Sequence, residues 1–255
     1  MNTIRDKLWM WGHNGQGGKF MGRQTRMTQA EGAYYLGVPN VCMIWDLTLP
    51  VVPLEEQHQY AMAFKPFKNV VWSATGISDS PKADGDINNA LSVAGKFSNI
   101  HGVVMDDFFG QKKPYTTEEL AAVKQRLVVN GERLPLWSVY YSKELHMPVE
   151  KSLQQFDVVT FWTWSQEDLK DLERNFERME RLSPDNRKML GCFMYDFSAN
   201  KEMPISLMEK QCALGLQWLR QGRIDGMIFC LSWICDMGLE AVEWTREWIA
   251  KMGGD

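Results

Sequence analysis

Short apolar runs alternate with longer mixed stretches along the whole chain. The runs are LWMW (8–11), VCMIW (41–45), NVVWSA (69–74), GVVM (102–105), LPLWSVYY (134–141), DVVTFWTW (157–164), MLGCFMYDF (189–197) and DGMIFCLSW (225–233). Each is strand-length and rich in β-branched and aromatic residues, the pattern of strands covered on both faces. The stretches between them carry helix signals. One helix runs from Thr28 to Leu36 and stops at Gly37, with Pro39 beyond. Pro53 opens LEEQHQYAMAF, INNALSVAGKF follows, and Thr116 with Glu119 forms a capping box for a helix running through LAAVKQRLVV to Gly131. VEKSLQQF reads as a short fifth helix. After Ser165 and Asp168, the residues Leu169, Leu172, Phe176, Met179 and Leu182 recur at helical spacing. Two more helices are predicted, from near Ile205 to Arg220 and over LEAVEWTREWIAKM. The stretch GHNGQGGKFMGR reads as a long, mobile glycine-rich loop.

Eight strand-then-helix units fill the 255 residues without remainder. The pattern predicts an α/β protein with one domain over 1–255, a single closed (β/α)8 TIM barrel. A doubly wound open sheet is disfavoured, since no G-x-G-x-x-G follows the first strand and no strand is short or charged enough to be an edge.

In such a barrel the active site is built at the C-terminal ends of the strands. Those ends carry Trp11 and His13, Trp45 and Asp46, Trp72, the pair Asp106 and Asp107, Tyr140 and Tyr141, Trp162 and Trp164, Tyr195 and Asp196, and Trp233. Because side chains alternate along a strand, one of Asp106 and Asp107 is expected to face the mouth and the other to face away. Rings beside acids suit a carbohydrate ligand: the C–H face of a pyranose stacks on indole or phenol, and carboxylates bind its hydroxyls. Taken singly, each Trp is as well explained by packing between strand and helix.

Other acids are set aside. Asp236 has the position of a helix N-cap, Glu167 and Asp168 are first-turn acids, and Asp84 and Asp86 belong to a loop. His58 falls inside a helix and His101 at the N-terminal end of its strand, which leaves His13 without a second histidine nearby, so no metal site and no cofactor are expected.

A net charge of -4 gives no basic surface for nucleic acid, and no apolar stretch approaches the ~20 residues that span a bilayer, so neither nucleic acid nor membrane is an expected partner. No charged-then-apolar leader opens the chain as given, which is expected to work in the cytoplasm, or in the periplasm or outside the cell if a signal has been trimmed. Cys42, Cys192, Cys212, Cys230 and Cys235 show no C-x-x-C spacing and read as reduced, buried residues. The loops after the last two strands, SANKEMP and ICDMG, lack the glycines of a phosphate site.

With Asp106 and Asp107 ending strand 4 and Asp196 ending strand 7, the chain resembles the glycoside hydrolases built on (β/α)8 barrels. The resemblance covers the whole barrel in architecture and a few residues in chemistry. Phe108 stands where the chitinase-like pattern D-x-D-x-E has its glutamate, and no specific family is assigned. The resemblance implies hydrolysis of an oligo- or polysaccharide, one strand 4 acid protonating the leaving oxygen while Asp196 activates water or attacks the sugar. Aspartates, one methylene shorter than glutamates, are expected to stand far enough apart for inversion. The alternative is a barrel that binds carbohydrate without cleaving it.

Overall fold

A computed structural model describes residues 3–14, 19–20, 22–45, 53–75, 84–110 and 115–252. Eight parallel strands close into a barrel: β1 (Leu8–His13), β2 (Asn40–Ile44), β3 (Asn69–Thr75), β4 (Ile100–Met105), β5 (Leu136–Tyr141), β6 (Val158–Trp162), β7 (Arg187–Phe193) and β8 (Gly226–Cys230). Each pairs with its neighbours in sequence, and β8 pairs with β1 to complete the ring. The helices between them are α1 (Gln29–Leu36), α2 (Leu54–Ala61), α3 (Asp84–Lys96), α4 (Thr117–Arg126), α5 (Glu150–Leu153), α6 (Leu172–Leu182), α7 (Ile205–Gln221) and α8 (Glu240–Lys251). This is the expected (β/α)8 barrel.

The local causes match the sequence. Every residue of β2, β5, β6 and β8 is buried, as strands with helices outside and side chains inside must be. The Thr28 and Thr116 hydroxyls accept from the backbone N–H groups of Glu31 and Glu119, each at 3.2 Å. The two glutamates accept in return from the threonine N–H groups, at 2.8 and 2.7 Å. Both helix starts thereby satisfy otherwise orphaned donors. On the outside, Phe176 of α6 stacks on Trp218 of α7 with ring centroids 4.1 Å apart.

Two departures have local reasons. The fourth helix does not reach Gly131: it ends at Arg126, and Val128–Val129 pairs antiparallel with Glu132–Arg133. Asn130 (φ 53°) and Gly131 (φ 85°) form the turn, the Asn-Gly pair that favours a tight hairpin over a helix end. The seventh and eighth strands are shorter than their apolar runs. After β7 the chain turns into a hairpin, Tyr195–Asp196 against Lys201–Glu202, and after β8 residues Ser232–Ile234 form a 3-10 turn.

The barrel interior holds indoles rather than only branched aliphatics. Trp162 of β6 lies opposite Gly191 of β7 in register, and a Cβ on Gly191 would stand 2.0 Å from the indole. A Cβ on Gly102 of β4 would likewise stand 2.9 Å from Trp137 Nε1 of β5. Glycine on one strand makes room for tryptophan on the next.

Candidate functional site

At the C-terminal ends of the strands lies a cavity of about 250 Å³. Its polar groups are Asp106 and Asp107, just past the end of β4, with His13 of β1 and Tyr141 of β5. Its apolar wall comes from Trp11, Trp162, Trp164, Phe193 and Phe197, and Cys230 and Leu231, joined by a cis peptide, close the β8 side. A larger groove, about 900 Å³, runs over the outer face of α1 past Tyr34 and the Asp6–Lys68 ion pair. It is remote from the strand ends where barrel chemistry is built, so the smaller cavity is the candidate site.

Both acids of β4 reach this cavity, contrary to the alternation expected of a strand. The strand ends at Met105, and Asp107 turns back with φ 45°, a left-handed conformation that aspartate tolerates. Asp106, 4% exposed, accepts the Asp107 backbone N–H at 2.9 Å. Asp107 is half-buried, and its Oδ1 accepts from the Tyr141 hydroxyl at 2.8 Å. Burial, then the charges of Asp107 and Asp106, push the Tyr141 hydroxyl well above its ordinary range, so it keeps its proton and remains a donor. Burial followed by the Asp106 charge also pushes up the thiols of Cys42 on β2 and Cys230 on β8, which stay protonated. All five cysteines are free and buried.

Around the acids the rings hold one another. Trp11 meets Trp162 edge-on at 5.3 Å, and the Trp162 indole N–H donates to Thr160 Oγ1 at 2.8 Å. Trp11 Nε1 donates to His13 Nε2 at 3.3 Å. An indole N–H can only donate, so the ring nitrogen is the acceptor in this contact. Trp164 lies edge-on to both Tyr141 (5.5 Å) and Phe193 (5.7 Å). The exposed Lys143 places its ammonium 4.5 Å from the Trp164 ring centroid and 4.8 Å from that of Tyr141.

The remaining expected site residues stand elsewhere. Trp45 and Trp72 are buried outside the cavity lining, Trp72 edge-on to Phe64 of the turn after α2. Tyr140 faces outward from β5 against Phe109 and Phe161, and Tyr195 donates to Asn200 Oδ1. Trp233 packs against His13 at 5.2 Å and donates its N–H to the Asn14 carbonyl, behind the lining. Asp46 lies outside the described residues, as do the side chains of Asp84 and Asp86.

Asp196 is 2% exposed and is not among the lining residues. Its Oδ1 accepts from the Ser198 N–H (2.9 Å), the Ser198 hydroxyl (2.6 Å) and the Ala199 N–H (3.0 Å), and its Oδ2 from the Gln166 N–H (3.2 Å). Burial opposes the charge, but these donors together hold the carboxyl below its ordinary value. It anchors the hairpin after β7 to the loop after β6. Asp236 is no N-cap either: it accepts from the Thr25 hydroxyl and the Arg26 N–H, tying the chain before α1 to the chain before α8.

Sequence reasoning missed Glu144. This buried carboxyl stands in the 3-10 turn after β5 and accepts the Tyr141 N–H at 2.9 Å. Burial pushes it up to about 7, with the nearby Asp107 charge adding to the shift. The only local signal was a glutamate three residues past a strand end. Among the described residues no group of three or more His, Cys, Asp or Glu side chains is placed to hold a metal ion, and no helix is long and apolar enough to cross a membrane.

The sequence matches no family model and no curated protein. Its fold has solved counterparts. Active domain 2 of a thermostable chitinase from Pyrococcus furiosus, complexed with chito-oligosaccharides, is similar with TM-score 0.60 and 11% identity over 100% of this chain and 98% of that one. A GH113 β-1,4-mannanase aligns with TM-score 0.55 and 12% identity, over 98% of this chain and 99% of that one. The tryptophan synthase complex from Pyrococcus furiosus gives 0.55 and 12%, over 100% of each chain. At such identities the likeness is one of fold. The chain is a (β/α)8 barrel whose structural neighbours include glycoside hydrolases, with no specific family assigned.

Proposed function

We propose that the chain is a glycoside hydrolase acting on an oligo- or polysaccharide at the β4 end of the barrel. One observation carries this reading: the two adjacent carboxylates of Asp106 and Asp107 open into a cavity walled by tryptophan and tyrosine. Flat apolar walls suit the C–H face of a pyranose, and acids suit its hydroxyls and the positive charge that develops at its anomeric carbon. A volume of about 250 Å³ falls just under the usual range of small-molecule sites and suits a single sugar ring.

The roles follow from depth. Asp107, half-buried and held by the Tyr141 hydroxyl, donates the proton to the leaving oxygen, and that hydroxyl then stabilises the carboxylate left behind. Asp106 lies deeper and faces the charge on the sugar ring, and water then adds to the anomeric carbon with its proton passing to the Asp107 carboxylate, which restores the acid. Asp196 has no part in this scheme, because its acceptor sites are spent on the hairpin.

The test is release of reducing ends from a panel of β- and α-linked oligosaccharides by wild type and Asp107→Asn. Loss of turnover by ~10²- to 10⁴-fold with ligand affinity kept within tenfold supports the assignment. Unchanged turnover in the variant refutes it. One observation favours the alternative of a binding barrel: both cavity acids come from one strand, with no acid facing them from β7. Saturable oligosaccharide binding by a wild type that never turns over would decide for that alternative.

A further inference from the structure

We propose that Glu144 is a positioning residue for the reaction at β4, holding the Asp107 carboxyl in place through Tyr141. The inference rests on the glycoside hydrolase reading and adds to it a residue that is not among those lining the cavity. Glu144 is tied to both tyrosines that end β5. Its Oε2 accepts the Tyr141 N–H at 2.9 Å, and its backbone carbonyl accepts the Tyr140 hydroxyl at 3.3 Å. The strand end and the turn Ser142–Glu144 are thereby fastened into one piece. On its other side, a Cβ on Gly110 would stand 3.9 Å from Glu144 Oε1, an ordinary contact distance, and the Gly110 N–H donates to the Asp107 carbonyl at 3.2 Å. Glu144 thus lies between the two chain segments whose side chains meet where the Tyr141 hydroxyl donates to Asp107 at 2.8 Å.

Capping alone does not account for this carboxyl. Glu31 and Glu119 make the same bond to the N–H three residues back, yet Glu31 is exposed and Glu119 half-buried. Glu144 is 6% exposed. Taking a carboxyl out of water is costly, and a capping bond made in water avoids that cost. The charged and titratable groups that bear on Glu144 are Asp107 after β4, Lys143 of its own turn, and Tyr140 and Tyr141 of β5. Burial raises its carboxyl to about 7, with the Tyr141 hydrogen bond and Lys143 pulling the other way. The neutral acid and the carboxylate both keep an acceptor oxygen for the Tyr141 N–H, so the brace does not depend on the protonation state.

Glu144→Met removes the acceptor at nearly the same size, Glu144→Gln keeps it, and Tyr141→Phe removes the hydroxyl alone. Should Glu144→Met not fold, Glu144→Ala takes its place. The first readout, in the full chain at one fixed pH, is the carbon-13 signal of the Asp107 carboxyl, assigned by its absence from Asp107→Asn. It needs no turnover. Glu144→Met is expected to move the signal at least half as far as Tyr141→Phe does, and Glu144→Gln less than a quarter as far. A signal that Glu144→Met leaves in its wild-type place, or that Glu144→Gln moves equally, overturns the inference. The second readout is oligosaccharide turnover, where action through Tyr141 makes the losses non-additive. Glu144→Met should lower kcat by about tenfold or more with KM within about threefold, and should add less than about threefold to the loss in Tyr141→Phe. Losses that multiply overturn the inference while leaving the hydrolase reading standing. A wild type that never turns over refutes the hydrolase reading, and the carboxyl signal then decides by itself whether Glu144 holds Asp107.

Discussion

Two groups of aromatic rings stand near the C-terminal ends of the barrel strands, and they do different work. Beyond β2 and on β3, Trp45 and Trp72 pack against Tyr60 and Phe64, with centroids 5.3 to 6.0 Å apart. They fill the layer between strands and α2. Around β1, β5 and β6, Trp11, Tyr141, Trp162 and Trp164 face the cavity that holds Asp106 and Asp107. Both groups are large aromatic rings on or just past the barrel strands. The face of the strand, and the presence of a carboxylate across it, make the difference.

The comparison is easiest to break through stability. Trp72→Ala empties a site that is 1% exposed and should cost roughly 3–5 kcal/mol in denaturant unfolding. A loss below about 1 kcal/mol would mean that this group is not packing. Glu144 comes next, through pH. Its carboxyl titrates at about 7 in the folded chain against an ordinary 4.5, so the folded state resists ionisation that the unfolded state accepts. The contribution is fully present below pH 4.5 and is lost as pH rises through 7, on the order of 3 kcal/mol at about 1.4 kcal/mol per unit. Glu144→Gln should flatten that fall, and urea midpoints at pH 5 and pH 8 measure it. A wild type equally stable at both values would contradict the burial of a neutral carboxyl behind Tyr141.

Asp196 has the opposite sign. Its folded value is lowered, so its contribution is present above the ordinary 3.8 and is lost as pH falls through the folded value. Asp196→Asn should cost about 1.5–3 kcal/mol at neutral pH, the range for hydrogen bonds to a charged acceptor, and should weaken the acid-side loss below pH 4. The smallest effect on stability is expected at Trp164, which is half-buried. Trp164→Ala should change stability by under about 1 kcal/mol while weakening oligosaccharide binding by roughly 0.5–1.5 kcal/mol. Equal losses of stability for Trp72→Ala and Trp164→Ala would erase the distinction between the two groups.

The barrel was legible in the sequence because its causes are local. Capping boxes at Thr28 and Thr116 and strands buried on both faces announce themselves within a few residues. The overrun of the fourth helix past Arg126 comes from the apolarity of Leu127 to Val129, which the Asn-Gly turn behind them overrides. The strand 4 acids were legible as an adjacent pair at a strand end for the same local reason. What the sequence withheld was phase. An apolar run such as LPLWSVYY fixes a strand but not which of Tyr140 and Tyr141 faces inward, and the packing of the Trp137 indole beside Gly102 on the neighbouring strand decides it. The donors that hold Asp196 away from the cavity lining, Gln166 among them, come partly from another loop, which no local pattern announces. Glu144 was missed because its burial is created by the chain that folds over it.

In the proposed scheme the chemistry lives on the carboxylates of β4 and not on the carboxylate after β7. The most direct measurement is the turnover of an oligosaccharide substrate by Asp107→Asn and Asp196→Asn, each normalised to its folded fraction. The account predicts a loss of at least ~10²-fold for Asp107→Asn and less than about tenfold for Asp196→Asn. The reverse order, with Asp196→Asn inactive though folded and Asp107→Asn active, would contradict it.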